Sequence, residues 1–187
     1  KCKNCAENTF ANSTEKQSCT DCGTGEKAVA GSAKCSKCDA GESGTGVGGK
    51  CEVCAKGQYR TSAMDADSCA PCAVGYAQDL TGQASCLPCI PGRYNDLTGQ
   101  TACPPCAKNT ISSEPAATSC VSCGVGEFAE EGSARSQRCG AGTYGNGCLK
   151  CPLETARDSS DPDVTQCRQC KLGETTTIVG AAVCDKW

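Results

Sequence analysis

Histidine is absent from this 187-residue chain, and large apolar side chains are scarce. There is one Met, one Trp, two Phe and four Tyr; Leu, Ile, Val and Phe together number only 20. That is about 11% of the residues, well below the ~20% under which chains tend to stay disordered. A sizeable apolar core is excluded, so order must come from covalent or metal cross-links. The lack of His also removes the commonest partner of a nucleophilic Ser or Cys, and catalysis has little support. Lys and Arg are scattered singly and the net charge is −3, so the basic stripe of a nucleic-acid binder is missing. No run approaches the ~18 apolar residues that span a bilayer. The sequence opens "KCKNC", without Met or signal peptide, and reads as a mature fragment or an excerpt of a longer chain.

What the chain has instead is cysteine, 22 residues of it. About 12% Cys is the mark of a disulfide scaffold. The cysteines are written as Cys-x-x-Cys pairs whose first members are Cys2, Cys19, Cys35, Cys51, Cys69, Cys86, Cys103 and Cys120, at steps of 16 to 18. The stretch "QDLTGQASCLPC" is followed one period later by "NDLTGQTACPPC". Near 136 the pattern stumbles. Ser136 stands where a first Cys belongs, and Cys139 is the second. A short loop then leads to Cys148 and Cys151, followed by Cys167 and Cys170, while Cys184 has Trp187 in place of its second Cys. Three residues after each second Cys stands Gly, as at Gly57 and Gly142, or Asn at Asn8 and Asn109; only Glu154 departs. Gly and Asn share a tolerance of the left-handed region, which predicts a turn with positive φ. An aromatic recurs five residues after the second Cys, at Phe10, Tyr59, Tyr94, Phe128 and Tyr144, with Tyr76 at four.

The segments between pairs are too short and Gly-rich for capped helices, so short β-hairpins are expected. Repeats that touch mainly their neighbours predict an elongated rod of tandem cysteine-rich modules, small, disulfide-rich and mostly irregular. The period divides the chain into modules at 1–34, 35–68, 69–102, 103–135 and an atypical 136–187.

Three chemistries use this spelling. Cys₄ zinc sites accept such spacing, but 22 is not a multiple of four. A thioredoxin-like redox motif needs a βαβ unit that the chain lacks. Disulfides in an oxidising, extracellular setting fit the counts most simply. Two connectivities are open. In a ladder, each second Cys joins the next first Cys, leaving Cys2 and Cys123 free. In the preferred alternative, rungs pair in twos: Cys2–Cys19, Cys5–Cys22, Cys35–Cys51, Cys38–Cys54, Cys69–Cys86, Cys72–Cys89, Cys103–Cys120 and Cys106–Cys123. Local closures Cys139–Cys148, Cys151–Cys167 and Cys170–Cys184 then leave none over. Spacing alone does not decide between the two.

The pattern C-x-P-C-x-x-G-x-Y-x-x-x-x-G-x-x-x-C-x-P-C at Cys86 to Cys106 resembles the ephrin-receptor-like cysteine-rich repeats. These repeats share the style of growth-factor-receptor and tumour-necrosis-factor-receptor modules. The likeness covers nearly the whole chain and is strongest from Cys51 to Phe128. It implies an extracellular location, short hairpins and disulfide-stacked modules. A weaker similarity is to the Cys-x-x-Cys-rich variant surface proteins of parasitic protists.

Other features read as structure rather than chemistry. One Asp per repeat in "DLTGQ" (Asp79 to Gln83, Asp96 to Gln100) is too few oxygens for calcium, so the Asp is expected to cap a turn that Gly completes. The aromatics are expected to stack over disulfides as miniature cores rather than to form a binding stripe. Glu130 with Glu131 and Asp161 with Asp163 read as solvated surface, and for Trp187 two readings stay open, packing on the last rung or a chain that continues past it. Asn12, in "ANST", is a glycan acceptor, and Ser/Thr-rich loops admit O-linked sugars. The expectation is a secreted or cell-surface structural protein, part of a coat, stalk, matrix or filament, without enzymatic activity or cofactor. Its partners would be copies of itself or other extracellular proteins. The alternative is a receptor ectodomain with a protein ligand, and a zinc module comes third.

Overall fold

The computed structural model describes residues 4–12, 18–44 and 50–187. Among them there is no helix, and ten two-stranded antiparallel sheets recur, each a hairpin. The stretch 54–72 shows how the sequence makes one. Cys54 is followed by two residues, then Gly57 at φ 76°, which swings Gln58–Tyr59 back into an extended strand. That strand pairs with Ala70–Pro71, the two residues inside Cys69-x-x-Cys72. The Cys72 N–H closes the hairpin on the Gly57 carbonyl at 2.8 Å. Thr9–Phe10 with Thr20–Asp21, Glu26–Lys27 with Ser36–Lys37, and Thr143–Tyr144 with Leu149–Lys150 repeat this register. Cys103-Pro104-Pro105-Cys106 is the exception: two prolines supply no N–H, and a single bridge, Arg93 to Pro105, replaces the hairpin.

The expected positive-φ turn is present, and it extends past Gly. Asn8 and Asn109 adopt φ 62°, and Glu154 is forced to 64° because the hairpin needs that geometry. Four residues before Cys120, Ala116 likewise sits at φ 57°, where the neighbouring repeats carry Gly.

The chain divides into two compact units, residues 1–88 with 95–103, and residues 89–94 with 104–187. Within the first, successive loops are joined by main-chain hydrogen bonds. Gly57 N–H donates to the Gln78 carbonyl at 2.7 Å, Arg60 N–H to the Gln83 carbonyl at 3.2 Å, and Gly82 N–H to the Cys54 carbonyl at 2.8 Å. One loop further on, the same three bonds run from Gly75 to Asn95, Gln78 to Gln100 and Gly99 to Cys72. In the second unit two of the three recur at each joint: Gly142 to Arg157 with Gly145 to Val164, then Arg157 to Ala181 with Gly180 to Cys151. Loops two apart also meet: a Cβ on Gly41 would lie 2.0 Å from the Gly82 carbonyl oxygen. Only glycine fits such an approach.

What is buried is mostly sulfur. The second cysteines Cys22, Cys54, Cys72, Cys89, Cys106 and Cys151 are almost wholly enclosed, with small alanines such as Ala129 and Ala156 beside them. The composition foretold this: with so few large apolar residues, the disulfides are themselves the core.

Candidate functional site

The hairpins dictate the disulfides. An antiparallel register that sets Gln58–Tyr59 against Ala70–Pro71 brings Cys54 beside Cys69, their Cα atoms 5.7 Å apart. That spacing suits a disulfide. The same closure gives Cys5–Cys19, Cys22–Cys35, Cys38–Cys51, Cys72–Cys86 and Cys106–Cys120. Cys89 and Cys103 are disulfide-bonded too. The arrangement is the ladder, and it overturns the pairing of rungs in twos. Cys2–Cys19, Cys5–Cys22, Cys35–Cys51, Cys38–Cys54, Cys69–Cys86, Cys72–Cys89, Cys103–Cys120 and Cys106–Cys123 are all corrected. First-to-first bonds would need two Cys-x-x-Cys segments side by side. Instead the described segments, residues 103–106 apart, are strands laid against the residues after the preceding pair. Cys2 itself lies outside the described residues. In the irregular region Cys139–Cys148, Cys151–Cys167 and Cys170–Cys184 are formed.

Cys123 is the free thiol among the described residues. Its hairpin keeps the common register, Glu127 opposite Arg138 and Phe128 opposite Gln137, so Ser136 holds the place of the missing partner. The Ser136 hydroxyl donates instead to Glu127 Oε2 at 2.7 Å. Burial, and then the Glu127 carboxylate, push the Cys123 thiol above its ordinary range.

One buried position escaped the sequence reading: the sixth residue after the second Cys. It holds Ala28, Gly44, Arg60, Gln78, Asn95, Ser112, Ala129, Arg157 and Thr176, all buried, with Ala11 and Gly145 half-buried at the same place. Polar members aim at main-chain groups. Asn95 Nδ2 donates to the Tyr76 carbonyl at 2.7 Å, and Gln78 Nε2 to the Ser85 carbonyl at 2.9 Å. Arg60 is 1% exposed. Its guanidinium donates to the carbonyls of Cys38 (2.6 Å), Asp39 (3.0 Å), Thr61 (3.2 Å), Met64 (3.1 Å) and Glu42. The only trace in the sequence was that this column is polar or small, never large and apolar.

The outer surface differs from expectation in two respects. Phe10, Tyr59, Phe128 and Tyr144 on the first strands, and Tyr94 beside the lone bridge, are half-buried, and Tyr76 is exposed, so the rings are not the core. In both "DLTGQ" loops the turn is capped by the residue before the Asp: Gln78 Oε1 accepts from Leu80 N–H and Asn95 Oδ1 from Leu97 N–H. Leu80 and Leu97 then project into solvent at equivalent places, 58% and 59% exposed. Glu130 and Glu131 are exposed, whereas Asp163 turns inward on its own loop, accepting from Thr165 and Gln166. Trp187 is 88% exposed and does not pack on the last rung; only its N–H reaches the Gly173 carbonyl, at 3.3 Å. Asn12 is exposed at a bend just past the Thr9–Phe10 strand, and Ser13 and Thr14 lie outside the described residues. No group of side chains suited to a metal ion occurs among the described residues.

Residues 75–123 match the family model described as tyrosine-protein kinase ephrin type A/B receptor-like. No curated protein matches the chain. The matched stretch and the repeated disulfide pattern fit cysteine-rich repeats of this kind. Modules of this family, together with so many disulfides, suggest an extracellular interaction domain.

Proposed function

We propose that the chain is a non-enzymatic structural and interaction protein, secreted or held at the cell surface, serving in a coat, stalk, matrix or filament. The observation that carries this reading is the loop-to-loop joint. Three main-chain hydrogen bonds join one loop to the next at Gly57, Arg60 and Gly82, the same three recur at Gly75, Gln78 and Gly99, and two of them recur around Gly142 and again around Gly180. A joint made of amides and carbonyls can be repeated without a matching core, which is how a chain poor in apolar residues gains length. Its partners are copies of itself or other extracellular proteins, and Asn12 carries a glycan.

Electron imaging of the native protein, isolated without reductant, tests the assembly. Fibres or sheets with a regular repeat support the structural role; dispersed single particles at every concentration would remove it. Release by an N-glycosidase that converts Asn12 to Asp tests the sugar.

A receptor ectodomain is the second reading, and Leu80 and Leu97 favour it. Two exposed leucines in equivalent loops are what an interface would cover. Dispersed particles, with a ligand whose binding is lost in Leu80→Asp/Leu97→Asp, would establish it.

A further inference from the structure

Six loops share one tie to the loop before. The residue four before the next first-cysteine position donates its N–H to the previous loop's second Cys: Gly31 to Cys5, Gly82 to Cys54, Gly99 to Cys72, Ala116 to Cys89, Gly132 to Cys106 and Gly180 to Cys151. All six donors have positive φ. The short loop closed by Cys139–Cys148 lacks that tie, and so do two longer loops, in which Asp65 and Asp163 hold the position and neither has positive φ. Those two are the loops closed by Cys54–Cys69 and Cys151–Cys167, whose separations of 15 and 16 exceed those of the other described disulfides. They are also the two that carry a buried Arg at the sixth position.

In the first of them the guanidinium takes over the missing bond. The Cys38 carbonyl, which a main-chain N–H would otherwise engage, accepts from Arg60 Nη2. The remaining donors of Arg60 tie Asp39 and Glu42 of the earlier loop to Thr61 and Met64 of its own. Arg157 bridges the corresponding loops in the other unit without taking the Cys139 carbonyl itself, reaching its neighbour Gly140 (3.3 Å), Thr143 (2.8 Å) and Asp163 (3.0 Å) through carbonyls only. A guanidinium suits this role because it is planar, always charged and offers five donors in a fixed fork.

We propose that Arg60 and Arg157 are positioning residues for oxidative folding, fixing which cysteines pair in the two long loops. Chain statistics alone cannot do so. Closure probability falls only as the 3/2 power of loop length, so Cys54–Cys69 and the wrong closures Cys51–Cys69 or Cys54–Cys72 form within about 1.3-fold of one another. A contact that joins the loops before the bond locks must make the choice. The locking step itself is ordinary thiol–disulfide exchange. One thiolate attacks a small-molecule disulfide and releases one thiol. The second thiolate then displaces the other, so Cys54 and Cys69 lose two electrons and two protons while the oxidant gains both.

The test is reduction of the whole chain, reoxidation in a glutathione buffer, and mapping of acid- or alkylation-trapped disulfides over time by mass spectrometry. In Arg60→Ala the ratio of Cys54–Cys69 to its mispaired alternatives is expected to fall about tenfold in the early-trapped mixture, the scale of a lost charge-assisted hydrogen bond. Arg60→Lys, with one compact ammonium, restores little. Gln78→Ala, in a loop that retains Gly82, leaves Cys72–Cys86 pairing unchanged. Early-trapped intermediates report the partition even where Arg60→Ala never reaches a stable fold. Wild-type pairing ratios in Arg60→Ala, with only easier unfolding afterwards, would overturn the proposal and leave Arg60 a stabilising residue.

Discussion

Cys123 faces Ser136 where other second cysteines face the sulfur that closes their hairpin. The hairpin forms all the same, with Glu127 and Phe128 in ordinary register. Ser136→Cys therefore supplies Cys123 with a disulfide partner over the same 13-residue separation that Cys22–Cys35 closes. We expect the free thiol to disappear on titration and stability to rise by about 3 kcal/mol. A thiol that still titrates in the oxidised variant would show that the two positions do not meet.

The same thiol gives a pH prediction. Burial and the Glu127 carboxylate raise its pKa, so at a given mildly alkaline pH less thiolate is present than on an unfolded chain. Alkylation of Cys123 in the folded protein should be slow and should accelerate toward higher pH. Glu127→Gln removes the charge but not the burial. It should shift the rate profile to lower pH without reaching the unfolded one. An unchanged profile would mean that Glu127 does not act on the sulfur.

Glu154 and Gly142 occupy the same turn position with opposite consequences. Glu154 holds φ 64° at a cost that Asn8 and Asn109 avoid, so Glu154→Asn should raise stability by up to ~1 kcal/mol. Gly142→Ala should destabilise by about 3 kcal/mol, since the new Cβ would stand 1.9 Å from the Gly180 carbonyl oxygen. Denaturant unfolding with disulfides intact measures both.

Reductant and chelator should act oppositely. With a core made largely of sulfur, reduction should abolish the hairpins and expand the chain. A strong metal chelator should leave circular dichroism and hydrodynamic radius unchanged. Unfolding by the chelator would restore the zinc reading.

The period, the hairpins, the positive-φ turn and the gap at Ser136 were all legible, because each is a local demand written once per repeat. The disulfide partners were not. Pairing Cys72 with Cys86 instead of with Cys89 depends on strand register, and register depends on main-chain hydrogen bonds that leave no mark on residue identity. The buried sixth position was hidden for a related reason. Arg60, Gln78, Asn95 and Ala129 look unrelated as letters, and they share only an enclosure that exists once two loops are stacked. Glu154 and Ala116 show the converse, a backbone demand strong enough to override residue preference.

The joint between loops uses groups that every residue except proline carries, and this leaves the outward side chains free to drift. Leu80, Leu97, Val121 and Leu149 can be exchanged without touching the bonds that hold one loop to the next. Such a protein can change its coat of recognisable features over generations while its skeleton stays fixed, which makes its surface a poor lasting target for anything that must recognise it.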